Sequence, residues 1–108
     1  MRKSVRIYIS QADIDKGEPE NMFSCPIHNA IERRGLLKGK CYGVVGSGIH
    51  IGPNKRTIEN NIDNNGVPKR PVKVKLSKKG YNFIKSYDVG DYVEPTHVTL
   101  IDEAGLYL

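Results

Sequence analysis

Residues 24–35 read Ser-Cys-Pro-Ile-His-Asn-Ala-Ile-Glu-Arg-Arg-Gly, and this stretch predicts one compact helix with a defined start and end. Ser24 or Cys25 is placed to cap its first turn, where unpaired backbone N–H groups need an acceptor. Pro26 falls at a position where its missing N–H costs nothing. Gly35 falls where a helix closes with a left-handed residue. The chain is expected to be organised around this helix.

The apolar residues of the same stretch lie on one narrow face. Ile27, Ala30 and Ile31 recur at the i, i+3, i+4 spacing of an amphipathic helix, and the polar residues fall elsewhere. Residues 77–88 predict a second helix, capped by Ser77 and facing the core through Tyr81, Ile84 and Tyr87, with Phe83 beside them. Both are predicted to be packing helices.

Short alternating runs on either side of these helices predict β-strands. They fall at residues 5–9, 41–45, 49–51, 72–76 and 96–101, and one or two helical turns are predicted at residues 11–16. The 108 residues suffice for one domain with a single modest core. We therefore expect a single α+β domain over residues 1–108, with one small sheet of about four to five strands, mixed or antiparallel, and two helices packed on one face.

Residues 52–71 differ in character, since they are rich in Asn, Pro and basic residues and contain isolated apolar positions. This segment is predicted to be a long basic loop that contacts a ligand or another subunit, because structureless loops of this length are uncommon in compact domains and are often functional. Two alternatives stay open. The segment is equally compatible with a mobile insertion, or with a short irregular hairpin turning at residues 64–66.

Positive charge is the main compositional signal for a partner. The formal net charge is +5, and basic residues are dense near residues 38–40, 55–56 and 69–79. Such an excess suits an anionic partner such as a nucleotide or a nucleic acid, although a basic surface kept for solubility explains it equally well. No stretch has the length and apolar character of a membrane span, so no membrane partner is expected.

The sequence offers few groups for catalysis or metal binding. Cys25 and Cys41 lack the number and spacing of a zinc site, and the chain is expected to be cytosolic with reduced thiols. Cys25 at a helix start could act as a nucleophile, but the neighbouring Pro26 and Ile27 favour a structural role. The three histidines show no metal-ligand spacing. We therefore expect no enzyme activity, no catalytic residues, no metal and no cofactor.

Three segments resemble a widespread family of short phage-encoded proteins. They are residues 10–17, the Cys-Pro-Ile-x-x-Ala-Ile start of the helix at residues 25–31, and the closing Asp-x-Gly-x-x-Val-Glu-Pro at residues 88–95. The resemblance spans both ends of the chain and is weakest over residues 52–71. Family members often carry alanine at the position of His28. The resemblance implies a small viral protein in the cytoplasm of an infected bacterial host, and it carries over no site residue.

Charge and context together favour a binding protein. The leading hypothesis is a phage accessory protein that sequesters an anionic nucleotide-type immune signal of the host, such as a cyclic oligonucleotide or a cyclic ADP-ribose derivative. Because its core is small, the protein is expected to form a homo-oligomer. Arginine and lysine would bind phosphates, and tyrosine or histidine would contact bases. The predicted ligand-binding residues are Lys55, Arg56, Lys69, Arg70, His50, Tyr42, Arg6 and Tyr8.

Two other functions stay open. The first is binding of nucleic acid through the same basic residues, with Lys73 and Lys75 on an open sheet face, which would weaken steeply with salt. The aromatic residues predicted for that face are too few for a stacking platform. The second is inhibition of a host protein.

Overall fold

The computed structural model describes residues 1–62 and 69–108. In these residues the strands are β1 (Lys3–Ile9), β2 (Cys41–Val45), β3 (Gly48–Gly52), β4 (Val74–Leu76) and β5 (Thr96–Asp102). The helices are α1 (Gln11–Lys16), α2 (Pro26–Arg34), α3 (Lys55–Asn60) and α4 (Lys78–Asp88). The strands form one sheet in the order β1-β5-β4-β3-β2, and every pairing is antiparallel. The predicted α+β class and small single sheet are confirmed.

One face of the sheet carries the hydrophobic core. Alternate strand residues point into it, as in the cross-strand pair Ile7 and Val98 and the pair Ile49 and Val74. Helices α2 and α4 contribute to the same cluster of buried side chains. We call this side of the sheet the core face and the opposite side the open face. Two helices pack on one face, as the sequence predicts.

Helix α2 begins and ends where its sequence indicates. Cys25 is the N-cap, and its Sγ accepts a hydrogen bond from the backbone N–H of His28 at 3.4 Å. Pro26 occupies the first turn. Gly35 adopts a left-handed conformation with φ of 71°, which lets its N–H reach the carbonyls of the last turn. The apolar stripe of α2 is buried against the sheet.

Helix α4 uses a slightly different stripe from the predicted one. Phe83 and Ile84 are buried and Tyr87 is half-buried, whereas Tyr81 is largely exposed. The stripe therefore begins at Gly80, one residue before the predicted position. A Cβ atom at Gly80 would lie 3.4 Å from Cβ of Leu76 and 3.5 Å from Cβ of Val98, which are ordinary van der Waals distances, so Gly80 lies against the core face of β4 and β5.

Helix α3 corrects the prediction of a loop through residues 52–71. Asn54 caps this helix, since its Oδ1 accepts the backbone N–H of Thr57 at 2.9 Å. Ile58 is buried, and a Cβ atom at Gly43 would lie 3.2 Å from its Cγ2. Gly43 lies between two strand residues that point into the core, so α3 covers the β2–β3 end of the open face. The alternative hairpin turn at residues 64–66 lies outside the described residues.

The C-terminal segment folds back onto its own domain and is held by Asp102. This carboxylate is fully buried and accepts backbone N–H groups from Gly105, Tyr107 and Leu108 at 2.9, 2.7 and 2.9 Å. Burial alone would raise the pKa of Asp102, but these N–H groups outweigh it and hold the pKa below its ordinary value. Over residues 1–62 and 69–108, none of the helices has the length and apolar character to cross a membrane.

Candidate functional site

A pocket of about 560 Å³ opens beside the end of β3, and we call it the β3–α3 pocket. Strand β3 pairs with β4 only at Gly48 and Ile49, and the backbone N–H of Lys73 makes one more bond to the carbonyl of Ile49 at 3.0 Å. Beyond that bond, residues 69–72 separate from residues 50–52, and α3 closes the other side. The pocket therefore occupies the space where two neighbouring strands part.

His50 supplies a buried polar group that lines this pocket. Its side chain is only 4% exposed, and its Nδ1 lies 3.0 Å from Nδ2 of Asn61. The amide nitrogen donates, so Nδ1 accepts and the ring proton lies on Nε2. Nε2 has no hydrogen-bond partner among the residues that the structure describes. Burial, assisted by the charge of Lys73, lowers the pKa of His50, so the imidazole is neutral at pH 7. His50 therefore holds one unpaired N–H donor, which is buried in the wall of the pocket.

The remaining lining of the pocket combines cationic and apolar side chains. Lys69, Arg70 and Lys73 provide positive charge at exposed positions. Apolar contact surface comes from Ile51, Ile58, Pro71 and Val72. No Asp or Glu is among the described lining residues. A pocket with hydrogen-bond donors, positive charge and apolar walls is suited to an anion that also carries an apolar or aromatic part.

The structure brings three of the predicted ligand-binding residues together in this pocket, namely His50, Lys69 and Arg70. Lys55 and Arg56 lie in the first turn of α3, exposed and outside the pocket lining. Lys55 is instead placed over an aromatic ring, with its Nζ 5.2 Å from the ring centroid of Phe23.

Tyr42 is removed from the candidate site, because it belongs to the hydrophobic core. It is 4% exposed, and its hydroxyl donates to Oε1 of Glu32 at 2.8 Å. Its ring stacks on that of His28, with centroids 4.4 Å apart. Burial and the neighbouring Glu32 raise the pKa of Tyr42. A buried and stacked ring of this kind presents no free face to a base.

Arg6 and Tyr8 lie on the open face, but far from the β3–α3 pocket. Three strand spacings separate β1 from β3, and the registers place Tyr8 six residues along the strand direction from the level of His50. These steps of ~14 Å and ~20 Å give a separation of about 24 Å. One small ligand cannot contact both positions. The predicted set therefore divides into two separate surfaces.

Two pocket residues escaped the sequence prediction. Lys73 was predicted to lie on the open face of a strand at residues 72–76, but the strand begins at Val74, and Lys73 lies just before it and lines the pocket. Asn61 fixes the tautomer of His50, and no local pattern could have indicated that contact. The backbone carbonyl of Asn61 also accepts the N–H of Lys69 at 2.6 Å.

The Cys25 thiol and the possible metal-ligating side chains show no arrangement suited to catalysis or metal binding in the part of the chain that the structure describes. Burial raises the pKa of the Cys25 thiol to about 12, so this sulfur is not an activated nucleophile. Within residues 1–62 and 69–108, there is no group of three or more His, Cys, Asp or Glu side chains that could hold a metal ion. No protein-family model, curated protein or solved structure matches the chain.

Proposed function

We propose that this protein binds an anionic, nucleotide-type ligand in the β3–α3 pocket without catalysing a reaction. The observation that carries the proposal is the buried, unpaired Nε2–H of His50 in a pocket whose described charged residues are all cationic. An unsatisfied buried donor is unfavourable in the free protein, and a ligand acceptor would remove that cost. The volume of about 560 Å³ lies within the ~300–1,000 Å³ range of small-molecule sites.

Each part of a nucleotide has a chemical counterpart in the pocket. Lys69, Arg70 and Lys73 suit phosphate oxygens, with Arg70 able to form a bidentate contact. Ile51 and Pro71 provide apolar surface for a base or sugar face. The N–H of His50 is buried in the pocket wall, so a small shift of the ring or its neighbours would let it donate to a phosphate, hydroxyl or ring acceptor.

The state of His50 supports binding rather than catalysis. Its Nδ1 already accepts the Asn61 amide, and its Nε2 already carries a proton. The neutral ring therefore has no free lone pair with which to accept a proton from a substrate.

The resemblance to phage-encoded proteins suggests a biological context for this ligand. We propose that the ligand is a host immune signal, such as a cyclic oligonucleotide or a cyclic ADP-ribose derivative, sequestered in the cytoplasm of an infected bacterium. A homo-oligomer would bring a second copy near the open side of the pocket and bury more of such a ligand. Sequestration of a ligand requires tight binding and no chemical reaction, and the pocket offers groups for binding.

The first test is native mass spectrometry of protein purified from infected or defence-active bacterial cells, followed by denaturation of the same sample. The proposal predicts release of a nucleotide of defined mass, and the native spectrum also reports the oligomeric state. A protein without any small molecule, from cells shown to contain the signal, would contradict sequestration.

Charge reversal then tests the location of the site. Lys69→Glu with Arg70→Glu should weaken calorimetrically measured binding of the released nucleotide by more than about 100-fold, since contacts to charged groups contribute roughly 1.5–3 kcal/mol each. Lys78→Glu with Lys79→Glu makes the same charge change at exposed positions of α4, across the sheet from α3. This control should bind as the wild type does. Equal affinity in all three proteins would rule out the β3–α3 pocket.

A further inference from the structure

The uncovered part of the open face carries only positive charge at its strand positions. Strands β1, β5 and β4 present Arg6 and Lys75 there, together with uncharged side chains. Both cationic side chains are exposed. A sheet face with charges of one sign is complementary to a polyanion.

An aromatic pair lies beside these charges. Tyr8 and His97 are directly opposite each other on β1 and β5, with ring centroids 5.0 Å apart and planes inclined by 51°. Tyr8 is 43% exposed, and His97 is also exposed. Tyrosine is usually buried on at least one side, and here the fold leaves a ring surface open next to Arg6. The pairing of the two rings could not be read from the sequence, because β1 and β5 are distant in the chain.

We call the four open-face side chains Tyr8, His97, Arg6 and Lys75 the β1–β4 strip. Two strand spacings and a four-residue offset separate Tyr8 from Lys75, which corresponds to about 16 Å. Thr99 and Ile101 lie between them and are half-buried. The strip is therefore long enough for several successive nucleotides and too long for a single one.

We propose that the β1–β4 strip binds single-stranded nucleic acid, with a base stacked on the Tyr8 and His97 rings and the backbone phosphates on Arg6 and Lys75. Stacking uses the face of an aromatic base and requires unpaired bases, which a duplex does not offer. The two cationic side chains interact with phosphates independently of sequence. Tyr8 is about 24 Å from His50 by the same strand spacings, whereas Lys75 lines a cavity together with Lys69 and Arg70. Tyr8, His97 and Arg6 are therefore the part of the strip that is separate from the β3–α3 pocket.

The test is fluorescence anisotropy with labelled eight-nucleotide thymidine and uridine homopolymers, a duplex of equal length, and a labelled mononucleotide. The wild type should bind at least one single strand more tightly than the duplex, with affinity that falls as salt rises from 50 to 200 mM. Tyr8→Ala with His97→Ala should weaken single-strand binding by about 5- to 100-fold, because base–aromatic stacking contributes roughly 1–3 kcal/mol per base. Tyr8→Phe should retain it.

Charge variants separate this strip from the pocket. Arg6→Glu should weaken single-strand binding and lower its salt dependence while mononucleotide binding stays unchanged, whereas Lys69→Glu with Arg70→Glu should lose mononucleotide binding and keep the preference for single strands over the duplex. Circular dichroism and urea unfolding confirm that each variant is folded. Wild-type protein that binds no single strand, equal binding of the duplex, or unchanged binding by the Tyr8→Ala with His97→Ala variant would each overturn the inference. None of these results would bear on nucleotide capture in the pocket.

Discussion

Replacing His50 with leucine separates a structural role of this residue from a binding role. Leucine has a similar size and removes both ring nitrogens from a position that is 4% exposed. The wild-type ring holds one satisfied nitrogen, Nδ1 with the Asn61 amide, and one unsatisfied N–H at Nε2. The substitution therefore removes one favourable and one unfavourable contribution to the free energy of folding.

The two contributions are of comparable size. The bond between His50 and Asn61 contributes roughly 0.5–1.5 kcal/mol, and Asn61 is only partly buried, so water can replace the lost partner. Burying the unpaired Nε2–H costs roughly 1–3 kcal/mol. We therefore expect the free energy of unfolding of His50→Leu at pH 7.5 to be unchanged or higher by up to about 2 kcal/mol. Nucleotide affinity should fall about 10- to 100-fold, the pattern of a binding residue kept at a cost in stability.

The pH dependence of stability gives a second signature of the same substitution. Because burial lowers the pKa of His50 in the folded state, the unfolded chain binds a proton first as pH falls below about 6.5. Wild-type stability should then decrease with falling pH, by at most ~1.4 kcal/mol per pH unit from this group, down to the folded pKa. The pKa of His28 is also lowered by burial, so the difference between wild type and His50→Leu isolates His50.

Urea unfolding at several pH values between 5 and 8 measures the stability of each protein and its pH dependence, and calorimetric titration measures nucleotide affinity. A decrease of more than about 1 kcal/mol in the free energy of unfolding at pH 7.5 would show that His50 is mainly a structural residue. Full nucleotide affinity in a folded His50→Leu protein would refute its role as a ligand donor.

Two further substitutions test the groups that hold the fold. Asp102→Ala should lower the free energy of unfolding by roughly 2–4 kcal/mol, because it leaves three backbone N–H groups without their acceptor. The control is Glu103→Ala at an exposed neighbouring position, which should change the free energy of unfolding by no more than about 0.5 kcal/mol in the same urea experiment. Equal effects of the two substitutions would contradict the anchoring role of Asp102. Asp13→Asn should cost roughly 1–2 kcal/mol at pH 7, since Asp13 is buried and lies 3.1 Å from the Arg33 guanidinium. Burial opposes ionisation of Asp13, but Arg33 and Ser10 outweigh it and hold its pKa below the ordinary value of 3.8. The difference from wild type should therefore be complete above the unfolded pKa and shrink as pH falls towards the folded pKa. A difference that grows as pH falls below about 4 would contradict the ion pair.

Helix α2 was predictable because its signals are local. Its cap, first-turn proline and closing glycine all lie within twelve consecutive residues. Helix α3 was missed because it is short and buries only Ile58. The surface that accepts Ile58 is provided by Gly43 and Gly52, which only the folded sheet brings under it. Local propensity therefore decided the first helix and tertiary packing decided the other.

The site was only partly predictable for a related reason. Charge density indicated Lys69 and Arg70, and their position next to β3 indicated His50. The sequence pattern did not show that Tyr42 faces the core, because alternation along a short strand fixes two faces without saying which is buried. The strand order was equally hidden, since β1 pairs with β5 and β4 with both β3 and β5. That order separates Arg6 and Tyr8 from the pocket.

The most direct measurement of the central claim is a titration of isotope-labelled protein, followed by backbone amide NMR, with ADP-ribose and a cyclic dinucleotide as probes. If the ligand binds in the β3–α3 pocket, saturable shifts should be concentrated at residues 50–52, 57–61 and 69–73, with little change at Tyr8 and His97. Lys69→Glu with Arg70→Glu should abolish these shifts. Shifts centred elsewhere, or none at millimolar concentrations of either probe and of any nucleotide released from the purified protein, would contradict nucleotide binding in the β3–α3 pocket.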